Sequence, residues 1–380
     1  MDFRKTEEQE LLLESLRELI TREFSEEYFK ECDEKHQYPE KFMKALVDNG
    51  FGLLGIPEEY GGTPVDTLTL ILVSEEIARL GAPGYLFGSV LQIDDMLTFG
   101  SEEQKKITME LTKQGKIAFC LGITEPQAGS DTNAISTTFT RKNGKVYING
   151  HKTFITGAMS APYMLCMTRD FSVSDLSRAF TMWWVPMDAP GVRIEPLHKI
   201  GWFMQNTCEV YLDNVEIEEK DIVGREGYGF IQLMKNFEVE RLLMAAIALG
   251  QAECAFEDAA RYANQRVQFG KPIGTFQLIQ EKLTYMAIKI ENMRNMVYKC
   301  AWEKDNGISL QVSSALAKLY CAQASFEVID DAMQIMGGIG YTTDHRISRL
   351  WRDNRINRIG GGTDQIMIHI AGRGILKQYR

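Results

Sequence analysis

Cysteine is scarce and unpatterned. Seven occur in 380 residues, at positions 32, 120, 166, 208, 254, 300 and 321, an odd number and never in Cys-x-x-Cys spacing. This excludes a disulfide framework or a zinc ribbon and predicts reduced, mostly buried thiols in a cytoplasmic protein. The five histidines are equally dispersed, with no His-x-x-x-His pair, so no metal site is expected. Glycine (32) and proline (10) are too few for a collagen-like or low-complexity chain. Positive charge is in deficit, with 42 Lys and Arg against 52 Asp and Glu for a net charge of −10. That argues against a nucleic-acid partner, because phosphate binding needs clustered Lys and Arg. Long apolar runs are missing too. The longest, Leu242 to Leu249, falls far short of the roughly 18 residues of a membrane span. The opening MDFRKTEEQE is too acidic and polar for a signal or transit peptide.

What is present suits a globular protein of two or three domains, at roughly 100–200 residues each. The pattern divides it into an N-terminal α-helical domain (1–116), a middle β-barrel-like domain (117–225) and a C-terminal helical bundle (226–380). In the first, Leu12, Leu16, Leu19 and Ile20 form a helical stripe. Pro39 suits a helix start and Gly50 a stop. Thr67 to Leu80 and Pro83 to Phe99 read as helical runs. Ser101 and Gln104 form a capping box.

From Ile117 to about Val223 the chain reads as short strands rich in β-branched and aromatic residues. Asn143-Gly144 and Asn149-Gly150 each predict a hairpin turn. Trp183-Trp184 predicts a strand with one ring in and one out. The segment from Gly224 to Phe230 reads as a flexible joint. Long helical segments then run over roughly 230–267, 275–305 and 310–336, with a final helix after Thr363, as in an antiparallel bundle. Methionine-rich stretches such as MAIKIENMRNM read as bundle core.

Two stretches carry chemistry. GITEPQAGSDTNA, Gly122 to Ala134, offers hydroxyls and small residues whose backbone N–H groups suit a phosphate or a carbonyl. A polar β-turn is the plain alternative. QIMGGIGYTTDHRISRLWRD, Gln334 to Asp353, is a glycine-rich break followed by Arg346, Arg349 and Arg352. It suits backbone approach to a pyrophosphate, or else a helix C-cap with a solvated basic face. It does not follow a strand, so a Rossmann site is not supported.

Together, Gly122–Asp131 and Gln334-x-x-Gly-Gly-x-Gly340 through Arg349 to Asp353 resemble the two signatures of the acyl-CoA dehydrogenases. These flavoproteins desaturate or reduce acyl-CoA thioesters between Cα and Cβ. The α–β–α order is similar over essentially the whole chain. Residues 252–274 and EKLTYMAIKIENMRNM also resemble the crotonobetainyl-CoA reductase branch.

The resemblance implies FAD, an acyl-CoA or enoyl-CoA thioester, an electron-transfer flavoprotein as redox partner, and a homotetramer built as a dimer of dimers. It places Thr124 and backbone near Ile123 at the flavin pyrimidine edge, and Gly129 and Ser130 near the pyrophosphate and pantetheine arm. Phe154 stands where the family usually has Trp, and Thr156 where a hydroxyl meets flavin N5. Arg266, Gln268 and Phe269 would reach the FAD of a neighbouring subunit, and Gln277 would also bind the cofactor. Gln334, Gly337, Gly338, Thr363 and Gln365 would lie near its adenosine half. FAD would then bridge two subunits, and a monomer would bind it poorly.

The reaction needs a base for the α-proton. The family most often supplies a Glu at the start of the last helix, but Ile359-Gly-Gly-Gly-Thr-Asp-Gln puts Gly361 there. A minority of the family places the Glu on a bundle helix, and Glu240 in Phe237-Glu-Val-Glu-Arg241 matches that position. Glu240 is the expected base, Arg241 the neighbour of the CoA arm, and Gly361 the space that a carboxylate from the opposite side requires. Asp364 is the lesser candidate, since an acid there also suits the helix dipole. Leu86, Phe87, Ile93 and Met96 are a possible wall shortening the acyl pocket. An oxidase passing electrons to O₂ and a non-catalytic subunit retaining the scaffold are the alternatives.

Overall fold

The computed structural model describes residues 4–86 and 89–380. The first domain comprises α1 (Glu7–Glu23), α2 (Glu26–Glu34), α3 (Glu40–Asp48), α4 (Thr67–Arg79), α5 (Ser89–Phe99) and α6 (Glu102–Thr112). Helix α1 opens on a reciprocal cap. The Gln9 amide N–H donates to Thr6 Oγ1 at 3.2 Å and the Thr6 N–H to Gln9 Oε1 at 3.0 Å. Ser101 and Gln104 repeat the device at α6. The buried stripe of α1 is Leu13, Leu16, Leu19 and Ile20, with Leu12 only half-buried. The run expected from Pro83 is broken by a single turn at Gly84–Leu86 before α5 begins.

The middle domain is one curled sheet of β1 (Cys120–Gly122), β2 (Thr138–Lys142), β3 (Lys145–Thr156), β4 (Tyr163–Arg169), β5 (Phe180–Pro186), β6 (Val192–Pro196) and β7 (Thr207–Ile217). Its order is β1-β4-β2-β3-β7-β6, with β5 paired to β4. Asn143 (φ 54°) and Gly144 (φ 75°) make the expected turn between β2 and β3, both in the left-handed region a type I′ turn requires. The second Asn-Gly is not a turn. It lies inside β3 at a bulge, where a Cβ on Gly150 would sit 2.2 Å from Thr137 Oγ1. Asn149 instead accepts the Asn214 N–H at 2.9 Å. Trp183 and Trp184 face opposite sides of β5, yet both are buried, because the sheet is covered on both faces. The expected joint at Gly224 to Phe230 is a held turn: the Gly227 N–H donates to Thr181 Oγ1 at 3.0 Å, and a Cβ there would meet the Arg178 carbonyl at 2.7 Å.

The last domain holds α7 (Gly229–Gln265), a small hairpin of β8 (Val267–Gln268) and β9 (Lys271–Pro272), α8 (Gln277–Asp305), α9 (Ser313–Met336), α10 (Ile347–Asn354) and α11 (Asp364–Gln378). Alanines along α7, among them Ala246, Ala252, Ala255 and Ala259, are buried in the bundle core with Met286, Met293 and Val297. Small residues let the helix axes approach closely. At Gly250 a Cβ would lie 2.1 Å from the Glu75 carbonyl, so α4 packs directly on the α7 backbone there.

Helix α10 overturns the expectation of a solvated basic face. Arg346 grips Asp258 of α7 through Nε at 2.7 Å and Nη2 at 2.8 Å. Arg349 reaches Glu26 at 2.9 Å and the Gly81 carbonyl at 2.9 Å, and Arg352 reaches Asp33 at 2.5 Å. These arginines fasten the bundle to the first domain rather than holding phosphate. All seven thiols are buried and free. Among the described residues, no helix is long and apolar enough to cross a membrane.

Candidate active site

The first signature begins where β1 ends. Glu125 and Ala128 exchange backbone hydrogen bonds at 3.1 and 2.9 Å, which folds the segment back on itself. The Glu125 carboxylate, almost fully buried, anchors the loop. It accepts from Lys152 Nζ at 2.8 Å, the Thr137 N–H at 3.0 Å and the Ser136 N–H at 2.7 Å. Gln127 Nε2 and Ser136 Oγ also donate to it, at 2.6 and 2.8 Å. Burial opposes its charge, but Lys152 and these hydrogen bonds prevail and hold the carboxyl down at about 2. Lys152 also donates to the Ile123 carbonyl at 3.2 Å, so that acceptor is already engaged.

The Thr153 N–H donates to the Thr124 carbonyl at 2.9 Å, which sets Thr124 beside Phe154. Phe154 combines two costly features: φ of 58° in a non-glycine residue and a ring 66% exposed. Gly129 and Ser130 are exposed, with open space where a Cβ on Gly129 would stand. Thr156 is half-buried at the end of β3, opposite Thr207. The structure thus gathers Ile123, Thr124, Phe154 and the small-residue loop at one end of the sheet.

Glu240 and Arg241 sit on α7. Glu240 is half-buried, and burial pushes its carboxyl up against the opposing charges of Arg241 and Lys318. Arg241 is buried. Its Nε has no hydrogen-bond partner among the described residues, and its guanidinium lies 5.8 Å from the Phe237 ring centre. One helical turn after Glu240, Met244 meets the turn that leads into α11. A Cβ on Gly361, whose φ is 60°, would stand 2.4 Å from the Met244 sulfur. The backbone therefore favours glycine at 361, and any side chain there would require Met244 to shift.

Asp364 is buried and engaged. It accepts from Arg358 Nε at 2.8 Å and Gln323 Nε2 at 3.0 Å. Thr363 is occupied as the cap of α11, its Oγ1 accepting the Ile366 N–H at 3.3 Å, and Gln365 is exposed. Sequence reasoning missed Lys318 on α9. It is buried, it donates to the Gly362 carbonyl, and burial pushes its ammonium down to about 8. A lone cation in the apolar stretch SSALAKLYCAQA was the available signal.

The remaining candidates lie elsewhere on the bundle. Arg266, Gln268 and Phe269 are exposed on the β8–β9 hairpin, and Gln277 is exposed at the start of α8. Phe269 is 93% exposed with φ of 53°. Gln334, Gly337 and Gly338 are exposed at the end of α9, with open space around both glycines. In the possible pocket wall, Leu86 and Ile93 belong to the core of the first domain instead. Met96 shares a cluster with Leu233 and Phe237 of α7. Phe87 lies outside the described residues.

Three family models match in order: the N-terminal domain of acyl-CoA dehydrogenases over residues 6–115, the middle domain over 120–215 and the C-terminal domain over 227–376. The chain is 61% identical to a protein of Escherichia coli K12 described as a probable acyl-CoA dehydrogenase, YdiO, over 100% of both chains. It is 31% identical to butyryl-CoA dehydrogenase from Megasphaera elsdenii, with a TM-score of 0.91, covering 99% of this chain and 100% of that one. A chain solved in work on the electron transferring flavoprotein of Acidaminococcus fermentans is 32% identical, with a TM-score of 0.92 over 99% of this chain and 100% of that one. With all three domain types matched in sequence and the fold shared end to end, the chain belongs to the acyl-CoA dehydrogenase family.

Proposed function

We propose that the chain interconverts an acyl-CoA and its 2,3-enoyl-CoA, with Glu240 exchanging the proton at Cα. Family membership makes it a flavin-dependent oxidoreductase acting on acyl-CoA. When bound, FAD supplies the hydride acceptor or donor for Cβ. The residues present fit that group. Phe154 offers an exposed ring held in a strained conformation, and Gly129, Gly337 and Gly338 leave backbone open to close approach. Phe154 in place of Trp keeps an apolar wall without the indole N–H. Phe269, almost wholly exposed on its hairpin, is suited to cover a flavin held by a second copy, as a homotetramer would require.

The observation that carries the reading is the pairing of Glu240 with Gly361. The usual position of the base is a glycine whose Cβ would strike Met244, and a carboxylate stands on the same helix one turn before that methionine. Burial raises the Glu240 carboxyl above its ordinary range, the direction a general base requires. Asp364 is tied to Arg358 and Gln323, which suits a structural acid. Arg241, whose buried Nε has no partner among the described residues, is suited to a polar group of the thioester arm. Electrons pass to or from an electron-transfer flavoprotein, and its potential sets the direction.

The test is flavin absorbance under anaerobic conditions with a panel of acyl-CoA and enoyl-CoA thioesters. Wild-type protein bleaches or recolours with a matching substrate. Glu240→Gln stays yellow and is nearly inert. Turnover unchanged by that substitution removes Glu240 from the mechanism.

A further inference from the structure

The turn at 360–362 is gripped from two helices, and one of the grips is a buried cation with no role so far. Lys318 lies in the middle of α9 and donates through Nζ to the Gly362 carbonyl. From α7, Met244 closes on Gly361. A buried ammonium ordinarily pairs with a carboxylate. Among the described residues, Lys318 makes no ion pair, and the nearby Asp364 already holds Arg358 and Gln323. Both of those contacts use Asp364 Oδ2, so the Lys318 charge acts through space first on Asp364 and, more weakly, on Glu240 as well.

We propose that Lys318 is a positioning residue for proton transfer: it fixes the turn that meets the Glu240 helix at Met244 and supplies positive charge that keeps the Glu240 carboxylate available as a base. This rests on the reading of Glu240 above. The charges that bear on the carboxylate come from Arg241 on its own helix and Lys318 on α9. Asp364, at the start of α11 and paired with Arg358, acts in turn on Lys318, and Glu238 acts on Arg241. Burial drives Glu240 towards the neutral acid, and the two cations oppose it. With Lys318 gone, Arg241 alone remains on that side of the balance.

The experiment is the pH dependence of kcat/KM for acyl-CoA oxidation by flavin-loaded enzyme. Lys318→Gln keeps a donor for the Gly362 carbonyl and removes the charge, Lys318→Met removes both, and Lys318→Arg keeps the charge. The expected result is an acidic limb displaced to higher pH by on the order of one unit in Lys318→Gln and Lys318→Met, with flavin absorbance and plateau KM retained. In Lys318→Arg the limb returns to its wild-type position. If Lys318→Met does not fold, the Gln and Arg variants decide. A limb unmoved in Lys318→Gln, or moved equally by Gln and Arg, overturns the proposal while Glu240→Gln remains inert. An active Glu240→Gln is a different failure: it overturns the assignment of the base, and this proposal with it.

Discussion

Lys152 in the middle sheet and Lys318 in the bundle are buried to the same extent, 0% and 1% exposed, and each has a glutamate for a neighbour. Around Lys152 every demand is met. Glu125 accepts its ammonium together with two backbone N–H groups, a hydroxyl and an amide. Around Lys318 the demands are left open. The ammonium goes to a carbonyl, and among the described residues Glu240 is not paired to it and the nearby Arg241 keeps a buried Nε without an acceptor. The consequence is opposite electrostatics from the same residue types: Glu125 is held down at about 2, whereas Glu240 is pushed up. A fully satisfied buried pair fixes a loop, while an unsatisfied one leaves a proton free to move.

The sharpest way to break this comparison is the same substitution at both glutamates. Glu240→Gln should lower turnover by roughly 10²–10⁴-fold, the usual worth of a general base. Its stability at pH 7 should not fall. The Glu240 carboxyl is raised in the fold, so ionising it costs stability as pH rises through its folded pKa, and the amide escapes that cost. Thermal unfolding and single-turnover flavin reduction check the two halves.

Glu125→Gln should do the reverse, destabilising the protein by about 3–5 kcal/mol by leaving Lys152 buried without its anion. Because the Glu125 carboxyl is depressed, its contribution is present above about pH 4.5 and is lost as pH falls towards about 2. Denaturant titrations between pH 6 and 3 should therefore show a flatter acid dependence in the variant. A variant as stable as wild type would mean that the ion pair does not hold the loop.

A smaller effect is expected at the turn itself. Gly361→Ala forces a side chain into the left-handed region, at about 1–2 kcal/mol, and drives its Cβ into Met244. Adding Met244→Ala should relieve the clash and leave the backbone cost, so the double variant should melt higher than expected from the two single losses.

Most of the architecture was legible because it is local. The capping box at Ser101, the Asn143-Gly144 turn and the long apolar periodicities each depend on neighbours a few residues away. The first signature was legible as a motif, yet the reason for Glu125 within it was not, since its lysine lies 27 residues on. Arg349 and Arg352 were misread for the same reason: their carboxylates, Glu26 and Asp33, stand more than three hundred positions away. Asn149-Gly150 has the composition of a turn, but the close approach of Thr137 across the sheet determined its conformation. Lys318 was passed over although its apolar surroundings signalled it, because a lysine there reads as a solvated exception until its burial is seen.

The sequestered sulfur has a practical corollary. Every thiol lies inside the protein, and burial raises all of them away from the reactive thiolate. Reduced flavins shed hydrogen peroxide when oxygen reaches them, and peroxide attacks thiolates first. Thiol-directed alkylating agents and mild thiol oxidants should therefore find no cysteine to modify until the chain unfolds.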